Sequence, residues 1–176
     1  MGGILVAEFG EEYLVRFEPE NCTQCHGCEI ACKTWRGLGY GIQYRRVLNL
    51  WKGSYPRVKN GTVSMACLHC VEPACAAECP EGAISKRADD GLVLVDETLC
   101  TGCGACAEAC AFGVPQFGEN GTMEKCDLCC DQQLAGASPP CVDTCPGKAL
   151  SLVKVRWSEK SDHEKSMEKL MVPRER

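Results

Sequence analysis

All but one of the seventeen cysteines fall into four groups built on one pattern, and that pattern limits what this chain can become more than any other feature. The groups are Cys22-x2-Cys25-x2-Cys28-x3-Cys32, Cys67-x2-Cys70-x4-Cys75-x3-Cys79, Cys100-x2-Cys103-x2-Cys106-x3-Cys110 and Cys126-x2-Cys129-x11-Cys141-x3-Cys145. Each holds three cysteines and a fourth three residues on, whatever the gap in the middle. Cys130 stands outside the repeat. Proline follows the last cysteine of groups two and four, as Pro80 and Pro146. The 45% hydrophobic fraction of this 176-residue chain counts its cysteines, and only 6% is aromatic. A hydrocarbon core would be thin for this length, so disulfides or metal must supply cross-links. An odd cysteine count leaves one thiol over from a disulfide framework, which favours metal.

The spacing has a physical reason. Two-residue gaps wind the backbone round one face of a cubane cluster, so three thiolates reach three irons. The fourth cysteine lies about one helical turn past the third and points away from that cube. It serves another cluster, as in the bacterial two-cluster ferredoxin run. The groups must then work in pairs, and four groups make four 4Fe–4S clusters. Zinc is the competing reading, because Cys-x2-Cys also opens zinc ribbons, but a zinc site takes four ligands as two separated pairs. Groups one and three crowd three ligands into seven residues, with a fourth close behind. Spacing alone leaves open which group pairs with which.

The wording around the cysteines is informative in its own right. Cys67-Leu-His-Cys70-Val-Glu-Pro73-Ala-Cys75 and Cys79-Pro80-Glu-Gly82-Ala83-Ile84 resemble the second motif of four-cluster subunits of DMSO-reductase-type enzymes. Lys125-Cys126-Asp127-Leu128-Cys129, then Pro140-Cys141-Val142, Cys145-Pro146 and Ala149-Leu150, resemble the fourth, and Gly113-Val114-Pro115-Gln116-Phe117 follows group three as it does there. The likeness spans about residues 13–155. Similar subunits serve some tungsten aldehyde-oxidoreductase-type enzymes. Ala111 departs from the proline that often follows group three.

The resemblance implies that groups one and four pair, as do two and three. Cluster one would use Cys22, Cys25, Cys28 and Cys145, and cluster two Cys126, Cys129, Cys141 and Cys32. Cluster three would use Cys67, Cys70, Cys75 and Cys110, and cluster four Cys100, Cys103, Cys106 and Cys79. The implied fold is α+β, with two nested bacterial-ferredoxin-like modules of short strands and helices around four iron–sulfur clusters. The outer module takes residues 1–32 plus 111–157, the inner one residues 67–110. Residues 33–66 form an insertion, and residues 158–176 a tail or docking helix in which Met167, Leu170 and Met171 are spaced i, i+3 and i+4.

Local patterns agree with that plan. Tyr13–Phe17 and Ala149–Val155 read as strands, and 83–86 with 92–95 as a hairpin around Asp89-Asp90-Gly91. Short helices are expected over Glu29–Trp35 and Ala105–Cys110. Asn60-Gly61 within Val58–Val63 is a strong turn signal and predicts a hairpin tip. His26 and His69 adjoin ligand cysteines and can donate to cluster sulfur, although a solvated loop histidine is commoner. Cys130 reads as a spare thiol. Lys33, Arg36, Arg45, Arg46 and Arg57, with Trp35 and Trp51, mark the insertion either as solvated charge or as a docking surface.

No catalytic constellation accompanies the clusters: there is no recognisable Ser-His-Asp triad and no glycine-rich phosphate loop. The expected role is therefore a non-catalytic one. The chain would be the iron–sulfur electron-transfer subunit of a larger oxidoreductase chain carrying a molybdenum or tungsten pterin cofactor, with a further electron carrier beyond. A free-standing polyferredoxin is the alternative. The net charge of −5 argues against nucleic acid as partner, and no run approaches the length of a membrane span. Met1–Glu8 lacks the basic region of a signal peptide, so a cytoplasmic location is expected, with export only as passenger of a signal-bearing partner. Iron and acid-labile sulfide should each be about sixteen per chain. A value near twelve would mean that one of the four ligand sets is incomplete.

Overall fold

Strand pairing joins distant parts of the chain before any packing does. The computed structural model describes residues 11–171. In it β1 (Glu12–Phe17) runs antiparallel to β8 (Leu150–Val155), with Glu12 opposite Val155 and Phe17 opposite Leu150. That ladder sets group one beside group four, and α1 (Gly27–Arg36) packs on α5 (Pro140–Asp143). Between them lie β2 (Arg46–Lys52) and β3 (Lys59–Met65), which pair with each other. Next come α2 (Ala74–Ala77), β4 (Ile84–Lys86), β5 (Val93–Val95) and α3 (Ala105–Ala109). Here β4 pairs with β5 and α2 packs on α3, joining groups two and three. The small ladder of β6 (Gln116–Phe117) and β7 (Met123–Glu124) and the short α4 (Cys130–Leu134) precede α5. The fold is α+β, with four separate two-stranded ladders in place of one sheet.

The expected strands and helices form within two residues of their expected bounds. Helix α1 starts two residues earlier than expected, behind a left-handed His26. It ends in a left-handed Gly37, where the Leu38 N–H reaches the Lys33 carbonyl and the Gly37 N–H the Thr34 carbonyl.

The Asn60-Gly61 turn does not form. Both residues lie inside β3, opposite Trp51 and Leu50, and the hairpin reverses over residues 53–58. Gly53 sits at φ +88°, where an added Cβ would strike the Arg57 carbonyl, and the Arg57 N–H closes the turn on Ser54 at 2.7 Å. The register is set by burial. An extended β3 delivers Val63 and Met65 to the core and runs straight on towards Cys67. The hairpin therefore touches both halves of the molecule. Val47 packs with Cys28, Cys32 and Cys141, whereas Val63 and Met65 pack with Phe112, Val114 and Met167 beside Cys67 and Cys110. Each buried apolar cluster contains or borders cysteines, so the core is assembled around sulfur.

The C-terminal segment is the 15-residue helix α6 (Trp157–Met171). Its contact face is more polar than the apolar spacing suggested. Lys160, Glu164 and Met167 lie at i, i+4 and i+7, and Met167 enters the core. Lys160 is fully buried, 2.7 Å from Glu12, which also pairs with Lys86 at 2.8 Å; Glu164 accepts the Val71 N–H. The side chains of Leu170 and Met171, and the N-terminal segment read for a leader, lie outside the described residues. Among the described residues no helix is long and apolar enough to cross a membrane.

The Glu12 pair is the tie that holds α6 to β1. Glu12→Ala would leave the buried Lys160 charge without its carboxylate, a loss of about 3–5 kcal/mol for a broken buried pair. The midpoint of thermal unfolding, followed by loss of visible absorbance, should fall by on the order of 10 °C. An unchanged midpoint would show the pair to be incidental.

Candidate metal centres

One backbone device recurs in all four cysteine groups. In the first Cys-x2-Cys segment of each group the residue before the second cysteine is left-handed: Gln24 at φ 56°, His69 at 49°, Gly102 at 71° and Leu128 at 59°. Three of these are not glycine, and a side chain at such φ is disfavoured, so the turns are held by something stronger than local preference. In groups two and four the turn aims a backbone donor at the first thiol of the group. The His69 N–H reaches Cys67 Sγ at 3.4 Å and the Leu128 N–H reaches Cys126 Sγ at 3.4 Å. Two further donors reach sulfur: Met123 N–H, from elsewhere in the chain, to Cys100 Sγ at 3.3 Å, and Ala149 N–H, four residues on, to Cys145 Sγ at 3.2 Å. Gly102 has a second reason to be glycine, since a Cβ there would collide with the Gly121 carbonyl.

The cysteines gather across groups. Cys79, Cys100, Cys103 and Cys106 line a single cavity. Cys70, Cys75 and Cys110 line another, and Cys67 is close enough to raise the thiol pKa of both Cys70 and Cys75. Cys32 feels the charges of Cys141 and Cys129, and Cys126 feels that of Cys32. Cys28 shares a buried cluster with Cys141, against which Cys145 packs. Cys22 and Cys25 stand nearer the surface. Gly27 brings their loop to group four, lying between Cys25 Sγ and Thr144, the neighbour of Cys145.

These thiols resist ionisation by themselves. Burial first, then neighbouring thiols, push Cys32 up to about 12 and Cys75 to about 11; Cys70 rises to about 12 through burial, then the Glu164 carboxylate, then its neighbouring thiols. Burial also raises Cys129 to about 11, against the pull of Arg36. Cys28, Cys106 and Cys126 are raised as well, again by burial before all else. Cys25 is lowered, by the Gly27 N–H first. Crowded buried thiols that cannot all ionise unaided, with N–H donors already trained on sulfur, fit a cationic iron–sulfur core. The donor set suits four 4Fe–4S clusters.

Polar groups near the sulfurs complete the site, and several were missed or misread in the sequence. His69 is buried, with Nδ1 accepting the Val93 N–H at 3.0 Å and Nε2 unpartnered among the described residues. His26 is a partly exposed loop residue 2.7 Å from Glu29. Arg36 ties α1 to group four through Asp127 at 2.8 Å and Asp131 at 2.7 Å. Cys130 donates to Asp127 at 3.6 Å, and burial and that carboxylate raise its thiol pKa. Asp127, Cys130 and Asp131 lie close enough together to hold an ion, yet both carboxylates already hold Arg36. Arg45 overturns an expectation. Read as a surface docking charge, it is buried at 3% exposure because it turns inward towards sulfur. Lys33 is taken up by the Gly39 and Ile42 carbonyls.

Comparison with known proteins gives the same chemistry a lineage. The 4Fe-4S dicluster domain family matches residues 58–155. The B subunit of the anaerobic dimethyl sulfoxide reductase of Haemophilus influenzae is 38% identical over 155 residues, 82% of this chain and 75% of its own length. The thiosulfate reductase electron transfer subunit of Salmonella typhi is 33% identical over 152 residues, 84% of this chain and 79% of its own. The formate dehydrogenase iron-sulfur subunit of Wolinella succinogenes is 44% identical over 114 residues, 61% of this chain and 56% of its own. With more than half of its length matched by the family and most of it shared with such relatives, the chain belongs to the 4Fe-4S dicluster domain family.

Proposed function

We propose that the chain is the electron-transfer subunit of an oxidoreductase complex, holding four 4Fe–4S clusters between a larger molybdenum- or tungsten-pterin catalytic chain and a further electron carrier. Relatives named as parts of reductases and dehydrogenases favour this over a free-standing polyferredoxin. A 4Fe–4S cluster with four cysteine ligands supplies one-electron transfer and offers no open iron to a substrate.

The ligand sets are the crossed ones: Cys22, Cys25, Cys28 and Cys145; Cys126, Cys129, Cys141 and Cys32; Cys67, Cys70, Cys75 and Cys110; Cys100, Cys103, Cys106 and Cys79. An outer module of residues 1–32 and 111–157 would enclose an inner one of residues 67–110, with 33–66 inserted and 158–176 docked against them. The β1–β8 and β4–β5 ladders support that nesting.

The observation that carries the reading is the order of thiol neighbours. Cys28 of the first set packs in one buried cluster with Cys141 of the second, Cys126 of the second feels the charge of Cys67 of the third, and Cys75 of the third packs against Cys106 of the fourth. The sets would then follow one another in a row. Among the proposed ligands only Cys25 and Cys103 are exposed, and they belong to the first and last sets. A row with an accessible sulfur at each end is the arrangement a relay needs.

The first end is also where a partner would dock. The β2–β3 hairpin is tied to the loop of Cys25, since Asn60 donates to Gln24 and Gln24 donates to Thr62. Its outer face shows Trp51 at 69% exposure and Tyr55 at 93%, near Lys52, Arg57 and Lys59. Exposed aromatics among cations are typical interface anchors.

Two experiments test this proposal. Cys145→Ser should alter the EPR signal of the cluster held by Cys22, Cys25 and Cys28, and Cys79→Ser that of Cys100, Cys103 and Cys106. Damage confined to each residue's own group would refute the crossed sets. Trp51→Ser with Arg57→Glu should weaken co-purification with the catalytic chain on the order of 30-fold, as for a lost hot spot, with iron content unchanged. Full recovery of the complex would move the docking surface elsewhere, and a lone 19.1 kDa native species with all its iron would sink the subunit reading.

A further inference from the structure

We infer that Arg45 is a counter-ion shared by the first two clusters and holds both of their reduction potentials up. The inference rests on the four crossed ligand sets proposed above.

Arg45 precedes β2 and is 3% exposed. One guanidinium nitrogen donates to the Ser64 hydroxyl at 3.1 Å and the Ser64 carbonyl at 3.4 Å. The Ser64 hydroxyl in turn lies 3.6 Å from Cys28 Sγ. Cys28 shares a buried cluster with Cys141, and the charges of Cys141, Cys126 and Cys28 act on the guanidinium. Its Nε–H is buried without a partner among the described residues.

Two other buried or half-buried cations have carboxylates, whereas the buried Lys125 donates to the Val93 and Cys126 carbonyls. Lys160 has Glu12, and Arg36 has Asp127 and Asp131. Among the described residues no carboxylate lies within 4.0 Å of Arg45. An arginine keeps its proton at any ordinary pH, and burying its charge unpaired is among the costliest things a fold can do. The surrounding sulfurs are what remains to balance it. They belong to the first set, through Cys28, and to the second, through Cys126 and Cys141.

The consequence concerns the reduced state. Adding an electron makes a cluster more negative, and a fixed positive charge in a dry setting favours that step. One cation between two clusters favours it in both. The ligands of the third and fourth sets are not among the groups that act on Arg45 most strongly.

The test is a potentiometric titration followed by EPR on the full-length, iron-loaded chain. Cys145→Ser and Cys32→Ser identify the signals of the first and second clusters. Arg45→Met should shift the reduction equilibrium of both by about tenfold towards the oxidised form, 59 mV for a one-electron couple. The third and fourth clusters should keep their potentials, and Arg45→Lys, which retains the charge, should restore most of the shift. Ser64→Ala, which cuts the hydroxyl link without removing the cation, should lower the first cluster alone and by less. Arg45→Met with full iron and four native potentials, or with an equal shift in all four, would overturn the inference. Should Arg45→Met lose iron, Ser64→Ala decides: a first cluster at its native potential overturns the inference. A wild-type chain well short of its full iron would overturn the four-set reading instead.

Discussion

Everything in this structure answers to one constraint, the burial of many thiols within reach of one another. Burial and mutual repulsion keep Cys28, Cys32, Cys70, Cys75, Cys126 and Cys129 from ionising by themselves. A positively charged iron–sulfur core reverses that balance, as a bound metal does for any coordinating thiol. The binding energy of the clusters is then folding energy. This accounts for ladders of two or three residues, such as β6 with β7, that could not stand alone in water.

The same constraint shapes the backbone. A cube surrounded by thiolates needs N–H donors close to sulfur, and in groups two and four the left-handed residue ahead of the second cysteine provides one. His69 and Leu128 accept an unfavourable φ for this purpose, Gln24 shares that φ at the same place in group one, and Gly102 adopts it without strain. Local preference yields to the cofactor at three of four positions. Polar burial follows suit: His69, Arg45 and Lys125 are all inside, next to sulfur, where a purely apolar core would have no use for them.

The hairpin of β2 and β3 links the two halves. Its alternating residues face different cysteine clusters, Val47 towards Cys28 and Cys32, Val63 towards Cys67 and Cys110. An insertion that looks like an ornament in the sequence is thereby part of the frame. Arg45 reaches the sulfurs because it stands where this hairpin begins.

The sequence by itself determined the cofactor class, because ligand spacing is a covalent property that survives any arrangement of the chain. It also determined most short elements: Tyr13–Phe17, the hairpin around Asp90 and Gly91, and the start of α3 at Ala105 were legible as local alternation and turn chemistry. Three things were decided only in three dimensions. The hairpin tip moved from Asn60-Gly61 to Gly53–Val58, since burial of Val63 and Met65 outweighs a local turn preference. The contact face of α6 runs through Lys160 and Glu164, polar residues that an apolar pattern cannot flag, because their burial depends on Glu12 and Val71 far away in the chain. Arg45 went inward although its type and neighbours suggested the surface. Whether an arginine is solvated or buried depends on which charges surround it, and the sulfurs it faces come from residues 28, 126 and 141, brought together only by the fold.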